Sequence, residues 1–209
     1  MTLAEEEPSL RPSDDPRRRR LLDAAVGVFM RFGFRKTSMD EVARAASISR
    51  QGLYLSFSTK EELFREAVLH VISNGFEAAS ARLDDERAPL EARLVGAFDE
   101  WTGRYVGAVG GDATDLHEVS KSLVGPLVAE HEARFTAAVA KLIRSSGLAA
   151  AYKSAGLGAR DLAETLHATA RGLKGTSTSR ADFVKSMTLA VRALCLPKRT
   201  VSRSRRENA

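Results

Sequence analysis

Residues 37–64 read TSMDEVARAASISRQGLYLSFSTKEELF, and this stretch decides the fold. It contains three helix starts. Ser38 and Glu41 have the spacing of a capping box, in which a hydroxyl and a carboxylate satisfy backbone N–H groups left open at a helix N-terminus. Met39, Val42, Ala43 and Ala46 then fall on one apolar face. Ser49 can cap a second short helix that carries Leu53 and Phe57 inward. Thr59 and Glu62 repeat the capping-box spacing and open a long pattern of Leu63, Phe64, Ala67, Val68, Val71, Ile72 and Phe76. Ile48 is expected to be a core anchor in the turn between the two short helices. Upstream, Leu21, Ala25, Val28, Phe29 and Phe32 predict a first helix that Gly33 stops.

Helix, short helix, three-residue turn, short helix is the order a helix-turn-helix needs. Its second short helix lies in the DNA major groove, held from behind by apolar packing. With Leu53 and Phe57 turned inward, Arg50, Gln51 and Gly52 face outward. Arg can bond two acceptors of guanine, and Gln can pair with adenine. Gly52 costs a helix roughly 1 kcal/mol against Ala but lets a backbone approach closely. Thr37, Ser38, Ser49, Tyr54 and Lys60 are candidate phosphate contacts, since hydroxyls, an ammonium and helix N-termini all donate to phosphate oxygens. Tyr54 alone would equally suit a half-buried core position. Arg17, Arg18, Arg19 and Arg20 oppose the macrodipole of the helix they open, so a phosphate contact or a minor-groove arm is a further use beside a solvated charge run. Asp40 and Glu41 serve a helix N-terminus, because carboxylates repel phosphate.

Charge supports the same partner. The chain of 209 residues carries a formal +5. Residues 17–65 hold eleven Lys/Arg against five Asp/Glu, and residues 197–209 five against one, while the middle is nearly neutral. A basic N-terminal module on a neutral body implies double-stranded DNA as a partner for that module.

Taken together, RRRRLLDAAVGVFMRFGFRKTSMDEVARAASISRQGLYLSFSTKEELF resembles the TetR family of bacterial transcriptional regulators. The resemblance is carried by Ala and Phe in the first helix, Thr37-Ser38, VARAA, Leu53-Tyr54, Phe57 and KEELF as a set. It implies phosphate roles for Thr37, Tyr54 and Lys60, and base contacts at Arg50, Gln51 and Gly52. Ser47 stands where the family often has Gly, which turns more freely. The resemblance also implies an all-α architecture, a three-helix DNA-binding domain followed by a helical ligand-binding and dimerisation bundle. The expected function is that of a regulator, a repressor, that binds a palindromic operator as a homodimer and is released by a small-molecule effector. A helical small-molecule binder without DNA binding is the alternative.

The expected domains are an acidic disordered tail at 1–16, the helix-turn-helix domain at 17–65, the effector and dimerisation domain at 66–196, and a basic disordered tail at 197–209. In the third, helical spacing covers Leu90 to Tyr105, 114–123, 126–146, about 159–175 and 181–195, with a loop at 107–112 and Pro197 as the end. Phe98, Trp101, Tyr105, His117, Phe135, His167 and Arg171 are candidates for the effector pocket, although aromatics at helical spacing also build cores. Phe183, Met187, Val191 and Leu194 fit either interior core or a dimer seam; the resemblance implies the seam, with Leu166 and Leu173 on the preceding helix.

Other classes find little support. No apolar run approaches the roughly 20 residues of a membrane span, and no secretory signal is visible. Cys195 is the only cysteine, which suits a reducing cytoplasm and a small buried hydrophobe. The four histidines lack close metal spacing, no Gly loop carries a phosphate-binding Lys, and no nucleophile elbow occurs. The chain is therefore expected to be no enzyme and to hold no metal or cofactor.

Overall fold

The computed structural model describes residues 15–107 and 113–207, with the side chains of 113–115, 117 and 197–207 outside that description. The protein is all-α. Its helices are α1 (Pro16–Phe32), α2 (Met39–Ala45), α3 (Arg50–Ser56), α4 (Lys60–Asp84), α5 (Leu90–Trp101), α6 (Ala113–Ser145), α7 (Ala159–Thr176) and α8 (Arg180–Glu207), with 3-10 turns at Gly103–Tyr105 and Leu148–Ala155. Among the described residues, no helix is long and apolar enough to cross a membrane.

The chain divides into two compact units, Met1–Ser73 with Gly111–Val124, and Asn74–Gly110 with Gly125–Ala209. The boundary expected at 65/66 falls inside α4. Residues 111–124 join the first unit because Leu116, Val119 and Leu123 pack against its core. That core is built from Leu22, Ala25, Phe29, Val42, Leu53, Phe57, Leu63 and Phe64. Phe64 meets Phe29 edge-on at 5.1 Å and Phe34 at 5.2 Å. Each such side chain contributes about 1.5–3 kcal/mol when buried, so a small unit is held by a few large residues.

In the second unit α8 lies against α5 and α7. Phe98, Phe135, Ile143, Leu166, Phe183, Met187 and Val191 fill the interior. Gly103 is needed there: a Cβ would sit 2.5 Å from Asp99 Oδ1 and 2.8 Å from Phe183 Cδ1. Beside it, buried Glu100 is surrounded by Arg104 (2.9 Å), Arg82 (3.3 Å) and Arg180 (4.0 Å), and Arg180 also binds Asp99 through both oxygens at 2.7 and 2.8 Å. A carboxylate with so little water would otherwise be costly, and the guanidinium groups offset that cost.

Three sequence expectations are corrected. The helices expected at 114–123 and 126–146 are one, α6, which runs through Pro126. Gly125 precedes it and has no Cβ for the proline ring to strike, which removes part of the usual objection to helix before Pro. The tail expected to be disordered from 197 is helical to Glu207, because α8 passes Pro197. No Gly or Asn stands between Cys195 and Glu207, and Lys and Arg are good helix formers that favour a helix C-terminus. Finally, α1 begins at Pro16, within the tail expected at 1–16, since the Asp15 side chain accepts from Arg17 N–H and Pro16 suits the first helical position. The rest of the expected acidic tail, 1–14, and most of the loop at 107–112 lie outside the described residues.

Candidate nucleic-acid interface

The motif is assembled from caps. Ser38 Oγ accepts from Glu41 N–H at 3.3 Å, and the Glu41 carboxylate accepts from Ser38 N–H at 2.8 Å. That backbone bond is the main reason the Glu41 carboxyl is held below its ordinary range. α2 then ends in a Schellman turn: Ser47 N–H bonds Arg44 O at 3.1 Å and Ile48 N–H bonds Ala43 O at 3.0 Å. Ser47 adopts φ 55°, the left-handed region, and Ile48, expected as a core anchor of this turn, is instead 38% exposed. This turn demands the backbone that Gly supplies most cheaply, and here Ser carries it. Ser49 next caps α3 by accepting from Gly52 N–H at 3.0 Å. A Cβ on residue 52 would lie 3.2 Å from Ser49 Oγ, so glycine also leaves room for the cap to close.

With Leu53 and Phe57 buried behind it, α3 turns Arg50, Gln51 and half-exposed Gly52 outward. Tyr54 is 41% exposed. Leu55, not among the expected contacts, is 82% exposed on the same helix. The available signal was its i, i+4 spacing from Gln51. On this face Leu55 suits the methyl group of a thymine.

Several expected phosphate donors are already committed. Thr37 is 2% exposed, and its hydroxyl donates to Gly33 O at 2.6 Å. Burial below the α1–α2 turn removes it from any outer surface. The Ser38 hydroxyl donates to Glu41 Oε2 at 2.9 Å, so the closed cap consumes its proton. Lys60 is half-buried and donates to Phe34 O and Thr37 O, both at 3.0 Å, with its ammonium 4.4 Å from the Phe34 ring centre. It therefore ties the start of α4 to the α1–α2 turn, and one of its three N–H donors is left for a further acceptor. Ser49 spends only its acceptor on the cap.

The four arginines form the first turn of α1, not an extended arm, because the Asp15 cap and Pro16 start the helix ahead of them. Arg18 pairs with Glu66 at 2.7 Å and lies 4.9 Å over Phe57, which takes it into the packing. Arg17, Arg19 and Arg20 are exposed.

Residues 21–67 match the family model for bacterial regulatory proteins of the tetR family. Over those residues the chain is similar to the tetR family. It is 37% identical over 90 residues to the uncharacterized HTH-type transcriptional regulator YfiR of Bacillus subtilis (strain 168), which is 42% of this chain and 42% of that protein. It is 36% identical over 88 residues to the HTH-type transcriptional activator FasR of Mycolicibacterium smegmatis, 41% of this chain and 40% of that one. The matches thus span about two-fifths of these relatives' length. The crystal structure of a TetR-like transcriptional regulator from Rhodococcus sp. RHA1 covers 86% of this chain and 96% of its own, at 26% identity and a TM-score of 0.56.

In the second unit, four of the residues expected to meet an effector come together. Phe135 stacks on Trp101 at 4.9 Å and meets Phe98 edge-on at 5.1 Å and His167 at 6.0 Å. His167 Nδ1 lies 2.5 Å from Thr136 Oγ1, and burial pushes the imidazole below its ordinary pKa. Trp101 and Tyr105 both border the backbone at Gly75. Phe98 and Phe135 are wholly buried, while Arg171 is exposed. The side chain of His117 lies outside the described residues.

The expected dimer seam is corrected. Leu166, Phe183, Met187 and Val191 are buried within one chain, in the second unit's core. Their i, i+4, i+8 stripe faces α5 and α7, and a side chain already enclosed has nothing to offer a second copy. Leu173 and Leu194 are half-buried against the same core. Among the described side chains of α8, the large apolar ones that do face outward are Leu189, at 60%, and Leu196, at 55%.

Proposed function

We propose that the protein is a sequence-specific DNA-binding transcriptional regulator, a repressor, that acts in the cytoplasm as a homodimer on a palindromic operator and is released by a small-molecule effector. One observation carries the DNA-binding part: a capped helix, α3, is packed from behind through Leu53 and Phe57 and turns Arg50 and Gln51 outward. Arg50, Gln51 and the backbone at Gly52 read base edges. Ser49, Tyr54, the remaining Lys60 donor and Arg17, Arg19 and Arg20 contact phosphates. A two-fold dimer sets the half-sites about 34–36 Å apart, one helical turn. Dimer contacts are drawn from residues outside the core, Leu189 and Leu196 among them. An effector held near the Trp101–Phe135–His167 cluster releases DNA by favouring a state that binds it poorly.

Selection of bound duplexes from a random pool tests the reading. The expected result is a palindrome, with Arg50→Ala losing about 1–3 kcal/mol on it and relaxing discrimination at one base pair per half-site. No enriched sequence would leave a helical small-molecule-binding protein. Light scattering tests the dimer: a persistent 22.7 kDa particle contradicts it.

A further inference from the structure

Arg50, the first residue of α3, has a partner on α2. Its Nη1 donates to Asp40 Oδ2 at 3.2 Å, and its Nε lies 3.1 Å from Asp40 Oδ1. Its guanidinium carbon is 5.6 Å from the centre of the Tyr54 ring. The side chains of Arg50 and Asp40 are 66% and 50% exposed. An ion pair this wet adds about 0–1 kcal/mol to stability, too little to be a pillar of the fold. It does restrict a side chain that otherwise carries about 2 kcal/mol of rotamer freedom. The hydrogen bond occupies one of five N–H donors, so the guanidinium keeps enough for two more acceptors. Guanine presents two adjacent acceptors in the major groove, N7 and O6, where adenine presents an acceptor and a donor.

We propose that Asp40 is a positioning residue for sequence reading: it holds Arg50 in the geometry that selects guanine and keeps it off neighbouring phosphates. The proposal rests on the DNA-binding reading above. A carboxylate on a DNA-facing surface repels phosphate, so Asp40 lowers affinity for DNA in general while raising discrimination. These opposite effects distinguish it from a structural prop.

The test compares the wild-type chain with Asp40→Ala and Asp40→Asn on three duplexes: the selected site, the same site with the Arg50-dependent guanine replaced by adenine, and random sequence. That guanine is the position at which Arg50→Ala loses discrimination. Asp40→Ala is expected to lose on the order of tenfold in guanine-over-adenine preference, with random-duplex affinity held or raised. Adding Asp40→Ala to Arg50→Ala is expected to change the preference no further. Unchanged preference in both Asp40 variants overturns the proposal. Equal loss on all three duplexes overturns it too, as does an Arg50→Ala variant that loses no position; in these cases the DNA-binding reading stands. A wild-type chain that selects no sequence sinks that reading and the proposal with it.

Discussion

The α2–α3 region and the α5–α8 region are held together by different means. In the first, caps one turn long do the organising: Ser38 with Glu41, the Schellman turn at Ser47, Ser49 with Gly52. Partners sit three to five residues apart, so the chemistry is written consecutively. In the second, Phe183 of α8 closes on Gly103 and on the side of α5, some eighty residues away in the chain. Contacts of that range leave only apolar spacing in the sequence, and spacing states that a side chain is buried without stating against what. A short-range site is therefore readable in advance, whereas a long-range core only announces itself as hydrophobic.

The contrast can be broken most directly at Phe183. Phe183→Ala is expected to cost about 3–5 kcal/mol, with a melting temperature lowered equally at every protein concentration. A loss that deepens on dilution would return Phe183 to a subunit seam. Lys60 sharpens the first region. Lys60→Met removes two hydrogen bonds from a charged donor and is expected to cost about 1.5–3 kcal/mol in chemical denaturation. Unaltered stability with a DNA-binding salt slope flattened by about one unit would make Lys60 a phosphate contact alone. At the turn, Ser47→Gly relieves a left-handed residue and is expected to stabilise by about 0.5–1 kcal/mol. A destabilised variant would mean that the Ser47 side chain supports the turn in some other way.

The smallest effect concerns His167. Burial lowers its folded-state pKa, with Glu132 opposing and Arg171 assisting. The unfolded chain then binds a proton more readily than the folded one, so stability is full above the ordinary His range and declines as pH falls through it toward the lower folded value. Melting temperatures from pH 7.5 down to about 5.5 should fall more steeply for wild type than for His167→Gln. Parallel curves would remove His167 as the cause.

Much of the site was legible because its determinants are local. The three helix starts, the inward Leu53 and Phe57, and the outward Arg50 and Gln51 follow from caps and a 3.6-residue period. What failed there failed through contacts the period does not encode. Thr37 reaches back to Gly33 O, Lys60 crosses to Phe34 O, and Arg18 folds onto Phe57 and Glu66. Each has a partner supplied by another element, so its donors are not idle. In α7 and α8 the apolar stripe is visible in the sequence, but its spacing suits a second copy as well as the chain's own interior, where it lies.

Sequence alone determined that this protein is helical and basic at its N-terminal module, and that a capped short helix there presents an arginine and a glutamine. Caps, apolar period and charge are properties of neighbouring residues, so no tertiary contact is needed to state them. The tertiary structure alone decided which of the polar residues are already engaged, which apolar stripe is core, and that Asp40 lies against Arg50. Those outcomes depend on distances between elements, and a linear string of residues does not contain them.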